Sequence, residues 1–177
     1  MGLQEQLYEV ALGQNGYVTS ADAVELGIDH IWLVQRATRK GLTRISRGLY
    51  RFDAMPVSST DEFMEAVLRV GPEAYLSHDA VLALHSLALV NPKRIRVGTP
   101  RRSRRTQPIT IEVIRRKLPP EDLTVYEGIP SATVRRALLD CAPMIMTDRL
   151  LDAIENALAS GLLSPNGAAE VREKIIR

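Results

Sequence analysis

The fold is decided by residues 29–52, whose sequence is DHIWLVQRATRKGLTRISRGLYRF. Asp29 belongs to the residue types that begin helices, because its carboxylate accepts a hydrogen bond from the first free backbone N–H groups. Residues 30–40 contain no Gly or Pro, and Gly41 follows them. Glycine is favoured directly after a helix C-terminus, so this segment predicts a helix over residues 30–40.

The pattern changes after Gly41 to an alternation with a period of two, which is typical of a strand. Arg47-Gly48 then stands between two runs of strand-forming residues, 42–45 and 49–52. Because glycine can take a positive φ, this arrangement predicts a tight hairpin with a two-residue turn. A helix is therefore followed at once by a hairpin.

The predicted helix carries two kinds of side chain on opposite faces. At about 100° per residue, one side holds Ile31, Leu33, Val34, Ala37 and Thr38. The other side holds Trp32, Gln35, Arg36, Arg39 and Lys40. We expect the first side to face the core and the second to face solvent or a ligand.

A basic helix followed by a basic hairpin is typical of the end of a winged helix-turn-helix domain. Six Arg or Lys and no Asp or Glu lie from Arg36 to Arg51, a charge pattern suited to the dense phosphates of duplex DNA. Helices predicted over 3–12 and 20–26, with a turn at 27–29, supply the preceding parts of the motif. The alternative is a solvated helix and an edge hairpin whose charges prevent aggregation.

The rest of the chain predicts a second domain of mixed helices and strands. We expect an α+β protein with a winged helix-turn-helix domain over residues 1–53 and an α+β domain over 59–177, joined by a short connector. Basic residues are concentrated in two segments on an otherwise acidic chain. Residues 93–117 hold ten basic groups and one acid, whereas the chain outside 36–51 and 93–117 holds seven basic and twenty acidic groups.

These patterns give a set of candidate DNA-binding residues. In the first domain they are Trp32, Gln35, Arg36, Arg39, Lys40, Arg44, Arg47 and Arg51, of which Gln35, Arg36 and Arg39 have the chemistry to contact base edges. In the arginine-rich loop at 98–108 they are Arg101, Arg102, Arg104 and Arg105. Three interpretations of this loop remain open: it grips phosphates, it docks an acidic partner, or it is only solvated.

The sequence favours neither catalysis nor metal binding, so we expect no enzyme, cofactor or metal. His78 and His85 are seven residues apart, without the partners of a metal site, and a structural role is the simpler interpretation. A DNA-targeted nuclease is the alternative, but no Asp stands just before Glu112 to complete an acid–lysine set with Lys117. The single cysteine, Cys141, excludes an internal disulfide. With neither a signal peptide nor a membrane span in the sequence, we expect a cytoplasmic protein.

Motifs in both predicted domains resemble those of a known family. The hairpin matches at Gly41, Arg44, Gly48, Tyr50 and Arg51. The second domain matches at Tyr75-Leu76-Ser77-His78, at Ala80, Leu82, Leu84, His85 and Leu87, at Gly128-Ile129-Pro130 and at residues 134–140. In this order the motifs resemble the AbiEi family, the antitoxins of type IV toxin–antitoxin (abortive infection) systems. Ser86 and Ala137 depart from the pattern, where Gly and Thr are expected.

The resemblance implies a function that the residues alone do not. It implies a bacterial repressor that binds inverted repeats upstream of its own operon and counteracts a nucleotidyltransferase-like toxin, mainly through the second domain, without a stable complex. The residues alone favour a winged-helix DNA binder and leave open a stand-alone regulator whose second domain senses a ligand or partner. Because no coiled-coil heptads are present, we expect a monomer in solution that pairs on adjacent DNA half-sites.

Overall fold

The computed structural model describes residues 2–39 and 41–177. Lys40, a predicted DNA-binding residue, lies outside the described residues. The chain divides into two compact units, Met1–Arg69 and Val70–Arg177. The described residues form eight α-helices and two β-sheets, so the predicted α+β class is confirmed.

The first unit contains three short helices, a small sheet and a fourth helix at its end. Its elements are α1 (Leu3–Leu12), β1 (Tyr17–Thr19), α2 (Ser20–Glu25), α3 (His30–Thr38), β2 (Leu42–Ser46), β3 (Leu49–Phe52) and α4 (Asp61–Val70). The sheet has the order β1-β3-β2, with both pairs antiparallel. The predicted helix after Asp29 and the hairpin that follows it are therefore confirmed as elements, the helix ending two residues earlier than predicted.

A hydrophobic cluster holds α1, α2 and α3 against the sheet of this unit. Leu7 of α1, Leu33 of α3 and Tyr50 of β3 are completely buried in it. The rings of Tyr8 and Phe52 meet edge to face at 5.3 Å, which joins α1 to the end of β3. The removal of these apolar side chains from water is the main driving force for the unit to fold.

Helix α4 is fastened to the first unit by polar side chains. The Asn15 amide donates to Thr60 Oγ1 at 2.8 Å, and the Tyr17 hydroxyl donates to Glu65 Oε2 at 3.0 Å. The Arg51 guanidinium pairs with Asp61 at 3.0 Å. The compact unit consequently extends to Arg69, past the connector at residues 54–58 where the sequence predicts a domain boundary.

The second unit is a five-stranded mixed sheet with helices. Its elements are β4 (Tyr75–Leu76), α5 (Asp79–Leu84), β5 (Ile95–Thr99), β6 (Ile111–Arg115), β7 (Leu123–Tyr126), β8 (Ile129–Ala132), α6 (Val134–Cys141), α7 (Thr147–Ala159) and α8 (Pro165–Ile176). The strand order is β6-β5-β4-β8-β7. Strands β5 and β6 are parallel neighbours, so the arginine-rich loop between them crosses from one end of the sheet to the other.

Close packing at β4 requires a glycine on the neighbouring strand. The ring of Tyr75 lies against Gly98 of β5, and a Cβ atom built on Gly98 would lie 2.3 Å from that ring. The Tyr75 hydroxyl donates to the carbonyl oxygen of Arg116 at 2.8 Å. Tyr75, the first residue of the Tyr-Leu-Ser-His motif, is thus a packing residue of the sheet.

Helix α5 begins at Asp79, directly after a residue with a positive φ. His78 occupies the N-cap position and has a φ of 53°. The Ser77 hydroxyl lies 2.9 Å from His78 Nδ1. Because a positive φ does not fit a right-handed helix, the helix starts after His78. None of the described helices has the length and apolar character needed to cross a membrane.

Candidate nucleic-acid interface

The turn between α2 and α3 is fixed by backbone and capping hydrogen bonds. Thr19 and Asp22 form a reciprocal capping box at the start of α2. At its end, Gly27 has a φ of 70°, and the Ile28 N–H donates to the carbonyl oxygen of Ala23 at 2.7 Å. This bond and that of Gly27 N–H to Val24 form a Schellman motif. Asp29 then caps α3, accepting from the Ile31 N–H at 2.9 Å as the sequence predicts.

Helix α3 presents a different face to solvent from the one expected. Leu33 is completely buried, and Ala37 and Trp32 pack against the core cluster. Ile31 and Val34, which were predicted to face inward, are 60% and 40% exposed. The prediction was wrong for these two, and for Thr38, which is also exposed, because the core accepts only a narrow stripe of this short helix. The outward stripe is therefore Ile31, Val34, Gln35 and Thr38.

Trp32 and two arginines form a hollow at the side of α3, next to the start of α1. The Arg36 guanidinium lies over the Trp32 ring, 5.8 Å from its centroid, and donates to Gln4 Oε1. Gln35 and Arg39 line the same hollow. Arg39 is exposed and pairs with no acid among the described residues. Gln4 was not predicted, since nothing in the pattern of α1 indicates that it reaches Arg36.

The hairpin carries two exposed arginines at and near its tip. Ser46 pairs with Leu49, so the turn is the predicted Arg47-Gly48, with Gly48 at a φ of 73°. The Ser20 N–H donates to the Gly48 carbonyl oxygen at 2.9 Å, which ties the tip to the start of α2. Arg47 and Arg44 are exposed, and within the described part of the chain the Arg44 Nε donates only to the Ser46 carbonyl oxygen, at 3.4 Å. Both cations are therefore available to an anion.

Arg51, a predicted DNA-binding residue, is turned inward. Its guanidinium pairs with Asp61 at 3.0 Å and donates to the carbonyl oxygens of Met55 at 3.3 Å and Pro56 at 2.9 Å. It also lies 5.6 Å from the centre of the Tyr17 ring. Its side chain is only 13% exposed. Arg51 thus joins β3 to α4, and its charge is neutralised within the unit.

Tyr17 belongs to the same buried contact between β1 and α4. Burial, together with the neighbouring Glu65 carboxylate, raises the pKa of Tyr17 above its ordinary value. The hydroxyl consequently stays protonated and donates to Glu65 over the whole physiological pH range.

The basic segment at 93–117 is partly neutralised by acids from elsewhere in the second unit. Arg96 donates twice to Asp79, at 2.7 Å each, and pairs with Glu112 at 3.2 Å. Arg116 pairs with Asp140 at 2.8 Å, and Arg101 pairs with Glu73. The Arg96 side chain is consequently neutralised and only 23% exposed. Among the described residues, the exposed cations of this segment that pair with no acid are Lys93, Arg94, Arg102, Arg104, Arg105, Arg115 and Lys117.

The histidines of the second unit are half-buried, and its cysteine is buried. His85 stacks edge to face on Tyr126 at 4.3 Å. Burial lowers the pKa of both His78 and His85, so both are neutral near pH 7. Burial raises the pKa of Cys141 to about 12, which leaves the thiol protonated. The described part of the chain contains no group of three or more His, Cys, Asp or Glu that could hold a metal ion.

The comparisons with known proteins gave a distant likeness to a solved structure. No protein-family model matches the chain. No curated protein matches it. Among solved structures, the crystal structure of the RV2827C protein from Mycobacterium tuberculosis is similar over 97% of this chain and 81% of that chain, at 14% identity and a TM-score of 0.43. A likeness of this degree does not establish a common fold.

Proposed function

We propose that the first unit is a winged helix-turn-helix domain that binds double-stranded DNA. The order of elements from α1 to β3 supports this, because α2 and α3 are joined by a tight turn and the β2–β3 hairpin follows α3 directly. The observation that carries the proposal is that Arg39, directly after α3, and Arg44 and Arg47, on the hairpin, are exposed and pair with no acid among the described residues. Such cations suit a polyanion.

The proposed roles of the side chains follow their exposure. Helix α3 enters the major groove, where Gln35 and Arg39 contact base edges. Arg36 lies at the flank of α3 beside Trp32 and Gln4, a position suited to the edge of the groove. Arg44 and Arg47 contact the backbone from the hairpin, and Lys40 remains part of the proposal. Arg51 is left out because its guanidinium is occupied by Asp61.

The second unit is proposed to increase the affinity for DNA through electrostatic contacts with phosphates. Arg102, Arg104 and Arg105 are exposed in the loop between β5 and β6 and pair with no acid among the described residues. Phosphate contacts of this kind position a protein on DNA without contributing sequence preference. Arg101 contributes less, since Glu73 already neutralises it.

The biological role is proposed from the resemblance to the AbiEi antitoxins. On that basis the chain is a cytoplasmic antitoxin of a type IV system that represses its own operon at inverted repeats. It counteracts a nucleotidyltransferase-like toxin without forming a stable complex with it. The protein acts without catalytic chemistry, metal or cofactor, and it is a monomer that pairs on adjacent half-sites.

Selection from random duplexes tests the DNA-binding part of this proposal. Purified full-length chain is used to enrich duplexes over several rounds, and the enriched sequence is then compared with a scrambled duplex in gel shifts. We expect one enriched sequence containing an inverted repeat and bound as two protomers. Recovery of unrelated duplexes, with equal affinity for the scrambled one, would contradict it. Cleavage of the duplex in the presence of Mg²⁺ would favour the nuclease alternative.

Co-expression tests the antitoxin part separately. Cells carry the nucleotidyltransferase-like gene adjacent to this one under an inducible promoter, with this chain supplied from a second promoter unrelated to its operator. We expect growth to be rescued by the wild-type chain and by Arg39→Ala, because the proposed rescue depends mainly on the second unit. Failure of the wild-type chain to rescue growth would contradict the antitoxin role and leave DNA binding standing.

A further inference from the structure

Two branched apolar side chains stand on the surface of α3 that faces away from the core. Ile31 is 60% exposed and Val34 is 40% exposed. They lie three residues apart, so they are neighbours on the helix, and Gln35 and Thr38 complete the same stripe. Two of the four residues on the outward face of α3 are therefore apolar, and Arg39 follows the helix directly.

A single exposed apolar side chain is ordinary, so the location of this pair matters more than its exposure. Leu33 and Ala37 already supply the packing that α3 needs against the core. Arg39 directly after α3 and Arg44 and Arg47 on the hairpin that follows are exposed cations, and none of the three pairs with an acid among the described residues. This charge favours a polyanion over an apolar protein surface as the occupant of the stripe.

Duplex DNA offers one apolar group in its major groove. Each thymine presents a C5-methyl group there, next to its O4 acceptor, and aliphatic side chains are the groups that contact it. The adenine paired with that thymine presents N6 and N7, which a glutamine side chain can bind through two hydrogen bonds. Gln35 stands on the same stripe as Ile31 and Val34. One face of α3 thus combines the two chemistries that an A·T pair displays.

We propose that Ile31 and Val34 bind the C5-methyl groups of thymines and thereby set the base preference of this protein for A·T pairs. The inference rests on the proposed function, because it requires α3 to lie in the major groove. It goes further in assigning part of the sequence preference to two apolar residues on the outward face of the helix. Both side chains are exposed, so shortening them leaves the core of the unit unchanged.

Removal of single methyl groups from the DNA tests this directly. In the duplex enriched by selection, each thymine is replaced in turn by deoxyuridine, which lacks only the C5-methyl group. We expect the full-length wild-type chain to bind roughly threefold to fivefold more weakly at one or two positions in each half-site, the effect that one buried methyl group carries. In Ile31→Ala or Val34→Ala, the duplex with thymine should already bind more weakly. Deoxyuridine at the matching position should then cause no further loss.

Val57→Ala is the matched control, since Val57 is an apolar residue that is 84% exposed and lies outside α3. This variant should keep the full response to deoxyuridine, and the thermal unfolding of all three variants should match that of the wild type. Selective binding that is unaffected by deoxyuridine at every position would overturn the inference and leave the proposed function intact. A chain that selects no DNA sequence at all would overturn both.

Discussion

At the scale of single residues, Arg39 and Arg36 differ in how firmly each is held. Arg39 is exposed and unpaired among the described residues, whereas Arg36 lies over Trp32 and donates to Gln4. The unpaired guanidinium of Arg39 can rotate to align with a base edge. The guanidinium of Arg36 is kept in one direction by Trp32 and Gln4. Both arginines are therefore proposed to contact DNA, with Arg39 contributing more to base preference and Arg36 to orientation.

Replacement of either arginine by alanine should weaken binding to the selected duplex. We expect a loss of roughly 1–3 kcal/mol for Arg39→Ala, with a relaxed base preference, and a smaller loss for Arg36→Ala. Gel shifts with the selected and scrambled duplexes measure both effects. Arg172→Ala is the control, because Arg172 lies on α8 in the second unit and pairs with Glu155. Wild-type affinity in both α3 variants would show that α3 is not the recognition helix.

Trp32 provides an optical signal for the same surface. It is the only tryptophan of the chain, and the Arg36 guanidinium lies over its ring. We expect the selected duplex to change its emission and reduce the access of an ionic quencher, because DNA would cover the hollow that Trp32 shares with Gln4. The scrambled duplex at the same concentration is the control. Emission and quenching that do not respond to the selected duplex would exclude the contact.

At the scale of elements, the pair between Arg51 and Asp61 has a structural role. It joins β3 to α4 with both side chains largely buried, at 13% and 12% exposure. Asp61→Asn removes the charge that balances Arg51 while leaving a side chain of the same size. A buried donor left without its charged partner costs roughly 1–3 kcal/mol, so the variant should be less stable by that amount.

Thermal and urea unfolding of the full chain measure this loss, and gel shifts should show nearly unchanged affinity for DNA below the unfolding transition. Asp148→Asn is a suitable control, since Asp148 is exposed at the start of α7. If Asp61→Asn keeps wild-type stability but alters DNA binding, Arg51 belongs to the interface as the sequence suggested.

The elements that carry the proposed interface could be predicted because their signals are local. Asp29, Gly41 and the Arg47-Gly48 turn each specify backbone geometry within a few residues, and they predict α3 and the hairpin nearly to the residue. Orientation is not local. Ile31 and Val34 are exposed because the rest of the unit accepts only Leu33, Ala37 and part of Trp32.

Charge pairing was the other feature that the sequence could not supply. Arg51 meets an acid ten residues later on a different element. Arg96 meets Asp79, which lies seventeen residues earlier. An alternation with a period of two indicates that alternate residues of β5 share one face of the strand. It does not indicate which of the two faces is covered by a helix such as α5, which carries Asp79. Such pairs depend on tertiary structure, and a count of charges along the chain overstates the free positive charge.

At the scale of the whole molecule, the second basic segment is expected to add to DNA binding through phosphates. Its formal net charge of +9 is reduced by Glu73, Asp79 and Asp140, which pair with three of its arginines. Replacing Arg102, Arg104 and Arg105 by alanine should lower the slope of log K against log salt by roughly one for each phosphate that is no longer bound. The order of preferred sequences should stay the same, because phosphates carry no sequence information.

Affinities measured across a series of salt concentrations give this slope. Two further variants serve as comparisons for the loop variant. Arg101→Ala should change the slope less, since Glu73 already pairs with Arg101. The triple variant Arg149→Ala, Arg172→Ala and Arg177→Ala removes the same charge from outside the segment and should leave the slope close to that of the wild type. If the loop variant instead keeps the full slope and fails to rescue cells from the toxin, the loop serves the antitoxin activity.

The central claim is that α3 and the hairpin of the first unit bind DNA in a sequence-selective way. Its most direct measurement is the ratio of affinities for the selected and scrambled duplexes at one fixed salt concentration, for the wild-type chain and for a variant with Gln35, Arg39 and Arg47 replaced by alanine. We expect the wild type to bind the selected duplex at least about a thousandfold more tightly and the variant to lose most of this ratio while remaining folded. A wild-type ratio near one, or a folded variant that keeps the full ratio, would contradict it.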